Sequence, residues 1–62
     1  MSVLRIVIQC DNEAFGNTVN TRAEEVSRIL LDLAKKIRNG SIGNYANDSN
    51  GNRVCQWGFY ID

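Results

Sequence analysis

The sequence predicts an α+β fold of the order β-α-β-β, with one helix packed on one face of a three-stranded, mostly antiparallel sheet. Three patterns support this prediction. Apolar residues alternate in residues 2–10, recur at helical spacing in residues 21–38, and alternate again in residues 53–61 after the turn signal Asn50-Gly51. Each element therefore offers one apolar face, and a helix lying across the sheet buries all of these faces together.

The first strand is predicted over residues 2–10, SVLRIVIQC, because β-branched residues are frequent there and the side chains alternate. One side carries Leu4, Ile6, Ile8 and Cys10, and the other carries Val3, Arg5, Val7 and Gln9. Residues 11–20 have no clear period and are predicted to form a connecting loop. We expect Phe15 in this loop to pack into one end of the core, with contact to a partner as the alternative.

The helix is predicted over residues 21–38. Thr21 and Glu24 have the spacing of a capping box, and Glu24 and Glu25 suit the first turn of a helix. Asn39-Gly40 is typical of a helix end. The predicted buried stripe consists of Ala23, Val26, Leu30, Leu33 and Ile37, with Ile29 and Ala34 on its flanks.

Residues 40–62 are predicted to form a hairpin, because Asn50 and Gly51 both tolerate the positive φ that a tight turn requires. A short edge strand is expected at about residues 42–47. The strand RVCQWGFYI then places Cys55, Trp57, Phe59 and Ile61 toward the helix. This last strand is the longest and most apolar, so we expect it to lie centrally and antiparallel to the first strand. A first strand parallel to the second is the alternative topology.

Length and charge limit the class of protein. With 62 residues, the chain is predicted to be one small domain, residues 1–62. Seven Lys and Arg balance seven Asp and Glu, and this zero formal charge argues against nucleic acid as the main partner. No apolar run reaches the roughly 18 residues of a membrane span, and no cleavage site follows the apolar N-terminus. We therefore expect a cytoplasmic protein without a membrane partner.

The small size of the chain favours self-association or a partner. A domain of this length buries only about 60% of the surface that its unfolded chain exposes, and the predicted sheet has no second helix to cover its other face. That face carries Val3, Val7, Val54 and Tyr60. These four residues are the predicted partner-binding site. Leu31 lies off the helical stripe and is the next candidate for a contact with a partner. The alternative is that Leu31 is an ordinary surface leucine without a binding role.

No catalytic, metal-binding or cofactor-binding residues are predicted. The chain has no His, so the usual general base near neutral pH is missing. Cys10 and Cys55 lack the spacing of zinc ligands and point toward the predicted core, where packing is the favoured interpretation and a disulfide stays geometrically open. The segment around residues 48–52 does not match a calcium-binding loop, because Ala46 and Trp57 occupy positions that require oxygen ligands.

Three segments carry a resemblance to known proteins: the strand end CDNEAF, the helix EEVSRILLDLAKKIRNG, and the turn DSNGNRV before an aromatic strand. Together they resemble a group of small orphan proteins of bacterial prophages and mobile elements. The likeness covers most of the chain and implies an intracellular bacterial or phage setting, but its motifs are structural and transfer no catalytic residue. Many phage accessory proteins of this size, including anti-CRISPR proteins, bind and block a host protein, and the resemblance implies this class of activity.

The sequence thus predicts a small non-catalytic interaction module that binds a host or phage protein, for example as an inhibitor, or a second copy of itself. Two alternatives stay open. The aromatic residues Trp57, Phe59 and Tyr60, with Arg5 and Arg53 near them, could stack on single-stranded nucleic acid. A small-molecule binder or an enzyme would need a pocket near residues 11–17.

Overall fold

One strand precedes the helix and two follow it, which confirms the predicted α+β fold. The elements are β1 (Ser2–Ile8), α1 (Val19–Arg38), β2 (Gly43–Asn47) and β3 (Arg53–Ile61), with a single 3-10 turn, Glu13–Phe15, between β1 and α1. This computed structural model describes residues 2–61, apart from the side chain of Asn44. Met1 and Asp62, at the ends of the predicted domain, lie outside the described residues.

The sheet has the strand order β1-β3-β2, and both neighbouring pairs are antiparallel. The last strand is therefore central, as predicted, and the alternative with a parallel first strand is wrong. β1 ends at Ile8 rather than at residue 10. Pairing nevertheless continues for one more residue, because the Gln9 amide donates a hydrogen bond to the Val54 carbonyl at 2.9 Å.

The β2–β3 ladder contains a bulge at Val54. The register shifts there by one residue, so that Asn47 pairs with Arg53 and Val54 has no partner on β2. A bulge of this kind redirects the side chains beside it. As a result, Arg53 lies on the same side of the sheet as Tyr45, and its guanidinium carbon is 4.1 Å from the centre of the Tyr45 ring.

The turn between β2 and β3 is organised by the buried side chain of Asp48. Its carboxylate accepts hydrogen bonds from the backbone amides of Asn50 at 2.9 Å and Asn52 at 2.8 Å. It also accepts one from the side chain of Asn12 at 2.6 Å, which ties the loop after β1 to this turn. The predicted turn is confirmed, although only Gly51, at φ 83°, and not Asn50, has a positive φ.

The start of α1 differs from the prediction. Thr18 is the N-cap: its side chain accepts from the Thr21 amide at 3.1 Å, and the Thr21 hydroxyl accepts from the Thr18 amide at 3.2 Å. The predicted pairing of Thr21 with Glu24 is therefore wrong, because Thr21 closes a capping box that begins three residues earlier. Glu24 and Glu25 consequently lie beyond the first turn. The predicted helix end is confirmed, since α1 ends at Arg38.

The core is formed where α1 crosses the sheet. Its buried apolar residues are Phe15, Ile29, Leu33, Ala46, Cys55 and Trp57, and Val54 is buried beside them at the bulge of β3. Phe15 is fully buried, which confirms its predicted packing role. The predicted centre of the helical stripe is wrong, however, because Leu30 is 41% exposed whereas its neighbour Ile29 is completely buried. The inward side of α1 is thus rotated toward Ile29.

An ion pair between the buried carboxylate of Glu25 and the partly exposed Arg28 explains this rotation. The carboxylate of Glu25 accepts hydrogen bonds from the Ser49 amide at 2.7 Å and from Arg28 at 2.9 and 3.2 Å. Arg28 also donates to the Asn47 carbonyl on β2 at 3.0 Å. The hydrogen bonds from Arg28, and then those from Ser49, hold the pKa of Glu25 below its usual range despite its burial. These contacts fix α1 beside β2, at the end of the sheet that carries the β2–β3 turn.

Candidate protein-interaction surfaces

The face of the sheet that points away from α1 is named here the reverse face. Strand alternation and register give its members. They are Val3, Arg5 and Val7 from β1, Gly43, Tyr45 and Asn47 from β2, and Arg53, Val54, Gln56, Gly58 and Tyr60 from β3. These described residues include two guanidinium groups and no carboxylate, so the reverse face is locally positive although the chain as a whole is formally neutral.

One end of the reverse face is built around Tyr60. Atoms of its ring lie 3.6 Å from the position that a Cβ on Gly58 would occupy, so the ring rests against the strand where no side chain intervenes. Arg5 is the cross-strand partner of Gly58 and places its guanidinium carbon 5.7 Å from the centre of the ring. Val3 is the cross-strand partner of Tyr60. This end therefore presents an arginine stacked on a half-exposed tyrosine.

The other end of the reverse face holds a second pair of the same kind, Arg53 over Tyr45. Val7 and Tyr45 flank Gln56 in one row across the three strands. Val7, Tyr45, Arg53 and Val54 contribute to a shallow concavity of about 190 Å³. The Arg53–Tyr45 pair thus lines a small, partly apolar depression, and the Arg5–Tyr60 pair lies outside it.

The structure brings four of the five predicted contact residues onto one face and separates the fifth. Val7 and Tyr60 are exposed and Val3 is half-buried. Val54 is only 8% exposed, so it lines the concavity and offers little surface for direct contact. Leu31, 66% exposed, lies on α1 and not on the reverse face.

Sequence reasoning missed Tyr45 and the position of Arg53. Tyr45 lies in the short strand whose Gly and Asn content gave a weak signal. Arg53 reaches the reverse face only because of the bulge at Val54, and regular alternation would have placed it on the helix side. The alternating pattern of β2 alone could have placed Tyr45, but nothing in the sequence marks the bulge.

A second exposed apolar surface lies on the helix-bearing face, at the end of the sheet farthest from the β2–β3 turn. We name it the uncovered sheet end; it consists of Leu4, Ile6, Phe59 and Ile61. All four are exposed, with Phe59 at 46% and Ile61 at 88%. The prediction that α1 covers this part of the sheet is wrong.

The boundary between covered and uncovered sheet falls between two aromatic rings. Trp57 is 3% exposed, while Phe59, two residues further along β3, meets it edge-on at a centroid distance of 6.4 Å. α1 packs against β2 and the Glu13–Phe15 turn, because Glu25 and Arg28 hold it there. The helix therefore leaves the far end of the sheet bare.

The outer side of α1 is also partly apolar. Leu31 and Ala34 line an open concavity of about 600 Å³ together with Lys35, Arg38 and the half-buried Ile37, which also packs against the core. At about 100° per residue, Leu31 lies on the opposite side of the helix from the buried Ile29. This surface points away from the sheet of its own molecule.

The region required by the small-molecule alternative does contain an open concavity of about 410 Å³, lined by residues of the loop after β1, including Asp11, Asn12, Glu13 and Asn17. Within residues 2–61, no group of His, Cys, Asp and Glu side chains is arranged to hold a metal ion. Cys10 and Cys55 are both free thiols, and burial raises the pKa of Cys55. The Cys55 thiol is therefore less readily ionised to the nucleophilic thiolate.

Comparison of the chain with protein-family models, with curated proteins and with solved structures finds no match. A search of residues 2–61 for a helix with the length and apolarity to cross a bilayer also finds none. Functional interpretation therefore rests on the chemistry of the surfaces described above.

Proposed function

We propose that this chain is a small, non-catalytic interaction module of phage or prophage origin. It acts in the cytoplasm by binding a protein partner through the reverse face, and blocking that partner is the form of activity that the sequence resemblance implies. The observation that carries this proposal is the pair of Arg–Tyr stacks, Arg5 on Tyr60 and Arg53 on Tyr45, on an uncovered sheet.

Tyrosine and arginine are the residue types that most often dominate the binding energy of protein interfaces, together with tryptophan. Here both tyrosine rings already lie against the sheet, held by cation–π contact before any partner arrives. A preordered side chain loses less conformational entropy on binding. The reverse face is therefore suited to binding without a large rearrangement.

The charge of the reverse face indicates the kind of partner surface. Arg5 and Arg53 lie on it without a described carboxylate, so an acidic or neutral, partly apolar surface complements it. Val7, which is exposed on β1, supplies apolar area beside the two pairs. Such a mixture of apolar, aromatic and polar groups is typical of transient protein interfaces.

The test is a double variant on the reverse face. We expect Val7→Ser with Tyr60→Ser to weaken capture of the partner from a bacterial or phage-infected lysate by at least about tenfold, because the variant removes a central contact and one stacked ring. The matched control is Val19→Ser, which removes an exposed apolar side chain from the start of α1, outside both apolar surfaces, and is expected to leave capture unchanged.

The captured protein is identified by mass spectrometry, and its affinity is then measured with purified proteins. Circular dichroism must show that the double variant keeps its fold. Equal affinity of the folded double variant and the parent protein for the captured partner would refute the reverse face as the binding surface.

A second candidate function is binding of single-stranded nucleic acid, which the two Arg–Tyr pairs also favour because bases stack on exposed aromatic rings. Fluorescence anisotropy with a labelled oligonucleotide at low and moderate salt separates the two functions. Binding that falls steeply with salt and is lost in Arg5→Gln with Arg53→Gln supports this candidate. Absence of binding at low salt rejects it.

A further inference from the structure

We infer that two copies of this chain form a symmetric dimer in which the outer side of α1 of each copy packs on the uncovered sheet end of the other. This inference goes beyond the proposed function, because it uses two surfaces that are separate from the reverse face. It assigns one occupant, a second copy, to both apolar surfaces that the monomer leaves bare.

α1 lies over only one end of the sheet. Glu25 and Arg28 hold the helix against Ser49 and Asn47, at the end of the sheet that carries the β2–β3 turn. The opposite end is left without a helix, and its large apolar side chains are exposed there. An apolar sheet face is stabilised when another element packs on it, and within residues 2–61 no helix covers this end.

The molecule itself carries a helix surface that is able to cover the uncovered sheet end of a second copy. Leu31 is 66% exposed on the outer side of α1 and is accompanied by Ala34. Small and apolar residues at helical spacing allow close packing of a helix on a sheet. In a two-fold arrangement, Leu31 of one copy meets Phe59 of the other, and the same contact is repeated by symmetry.

The uncovered sheet end and Leu31 together present on the order of 500 Å² of exposed residue surface per copy, which is about the minimum that specific interfaces need from each partner. None of these side chains is charged. Lys35 and Arg38 border Leu31 and would lie at the rim, where their aliphatic stems extend the apolar contact while the charges stay hydrated.

The geometry also explains why a closed dimer is favoured over an open chain of molecules. Each copy has one helix surface and one bare sheet end, so a two-fold axis satisfies both at once and leaves neither free. The interface is compact and of modest size, which predicts a dimer that dissociates on dilution.

Sedimentation equilibrium over a range of protein concentrations tests the dimer. We expect the parent protein to be dimeric at high concentration, and Leu31→Glu and Phe59→Lys each to raise the dissociation constant by at least tenfold. Mixing these two variants is expected to restore a heterodimer. Across its axis, the introduced glutamate of one copy meets the introduced lysine of the other, and the second contact keeps the original Leu31 and Phe59. The matched control is Val7→Ser on the reverse face, which is expected to remain dimeric.

Circular dichroism checks that each variant is folded, and Leu31→Ala replaces Leu31→Glu if the latter is not. A parent protein that stays monomeric at all concentrations overturns the inference. Dimers that persist in both folded variants, or variants that are monomeric and fail to form the mixed dimer, also overturn it. Each of these outcomes leaves partner capture by the reverse face untouched, so the dimer and the proposed function can fail separately.

Discussion

At the scale of single residues, two buried carboxylates hold the molecule together around one turn. Glu25 joins α1 to Ser49, and Asp48 joins the turn to Asn12 in the loop after β1. Burial alone would raise the pKa of Asp48, but hydrogen bonds from Asn52, Asn12 and Asn50 outweigh it, and the pKa is lowered. Both carboxyl groups thus favour the ionised form in the folded state.

The stability of the protein should therefore depend on pH in acid. A carboxyl group with a lower pKa in the folded than in the unfolded state binds fewer protons when folded, so it stabilises the fold above its unfolded pKa, about 4. We expect the free energy of unfolding, measured with urea, to fall as the pH is lowered from about 5 toward 3. In Asp48→Asn and in Glu25→Gln this pH dependence should be weaker.

The control for this experiment is Glu24→Gln, which removes one carboxylate from an exposed position next to Glu25. Its pH dependence should follow that of the parent protein. If Asp48→Asn and Glu25→Gln lose stability in acid as steeply as the parent does, the two buried carboxylates do not have the role assigned to them.

Single residues were also the hardest to predict from the sequence. The sequence places Glu25 in the first turn of the helix, and no sequence pattern shows that the amide of Ser49 donates a hydrogen bond to it. The side of the sheet on which Arg53 lies does not follow from alternation, because the bulge at Val54 interrupts the regular pairing. Both errors arise from contacts between residues far apart in the chain or from a local departure from regular pairing.

At the scale of elements, the rotation of α1 about its axis decides which surfaces stay open. Ile29 is completely buried and Leu30 is exposed, although the spacing of apolar residues had placed Leu30 at the centre. The difference arises because the apolar residues of this helix span a wide arc, and the Glu25–Arg28 contacts select one part of that arc for the core.

A matched pair of substitutions on α1 tests this rotation. We expect Ile29→Ala to destabilise the protein by about 2–5 kcal/mol, because it leaves a cavity in the core, and Leu30→Ala to cost less than about 1 kcal/mol. The free energy of unfolding is measured with urea at a single protein concentration. A larger loss for Leu30→Ala than for Ile29→Ala would show that the helix faces the sheet as the sequence alone predicted.

The existence and type of α1, β1 and β3 were predictable, because each has a strong period or recognisable ends, whereas the weaker β2 was predictable only from the turn that follows it. β3 matches its predicted range, and α1 ends where Asn39-Gly40 indicated. The start of α1 was misplaced because Thr18 and Thr21 form a capping box without the usual acidic residue. A helix start that is set by an unusual cap is not found by a search for the usual capping motif.

At the scale of the whole molecule, the helix is too closely tied to one end of the sheet to cover all of it. The sequence predicted complete coverage, because the apolar faces of β1 and β3 run along their full length. Strand patterns show which side of a strand is apolar, but they do not show how far along the strand a neighbouring helix reaches. Because α1 covers less of the sheet than predicted, four residues that were predicted to lie in the core are exposed. They are Leu4, Ile6, Phe59 and Ile61.

Self-association through the uncovered sheet end is tested most directly by two-dimensional amide NMR spectra recorded at decreasing protein concentrations. We expect the resonances that change with protein concentration to belong to the uncovered sheet end and to Leu31 and Ala34 on α1, while those of Tyr45 and Arg53 on the reverse face stay fixed. Spectra that do not change on dilution, or changes confined to the reverse face, would contradict self-association through the part of the sheet that α1 leaves bare.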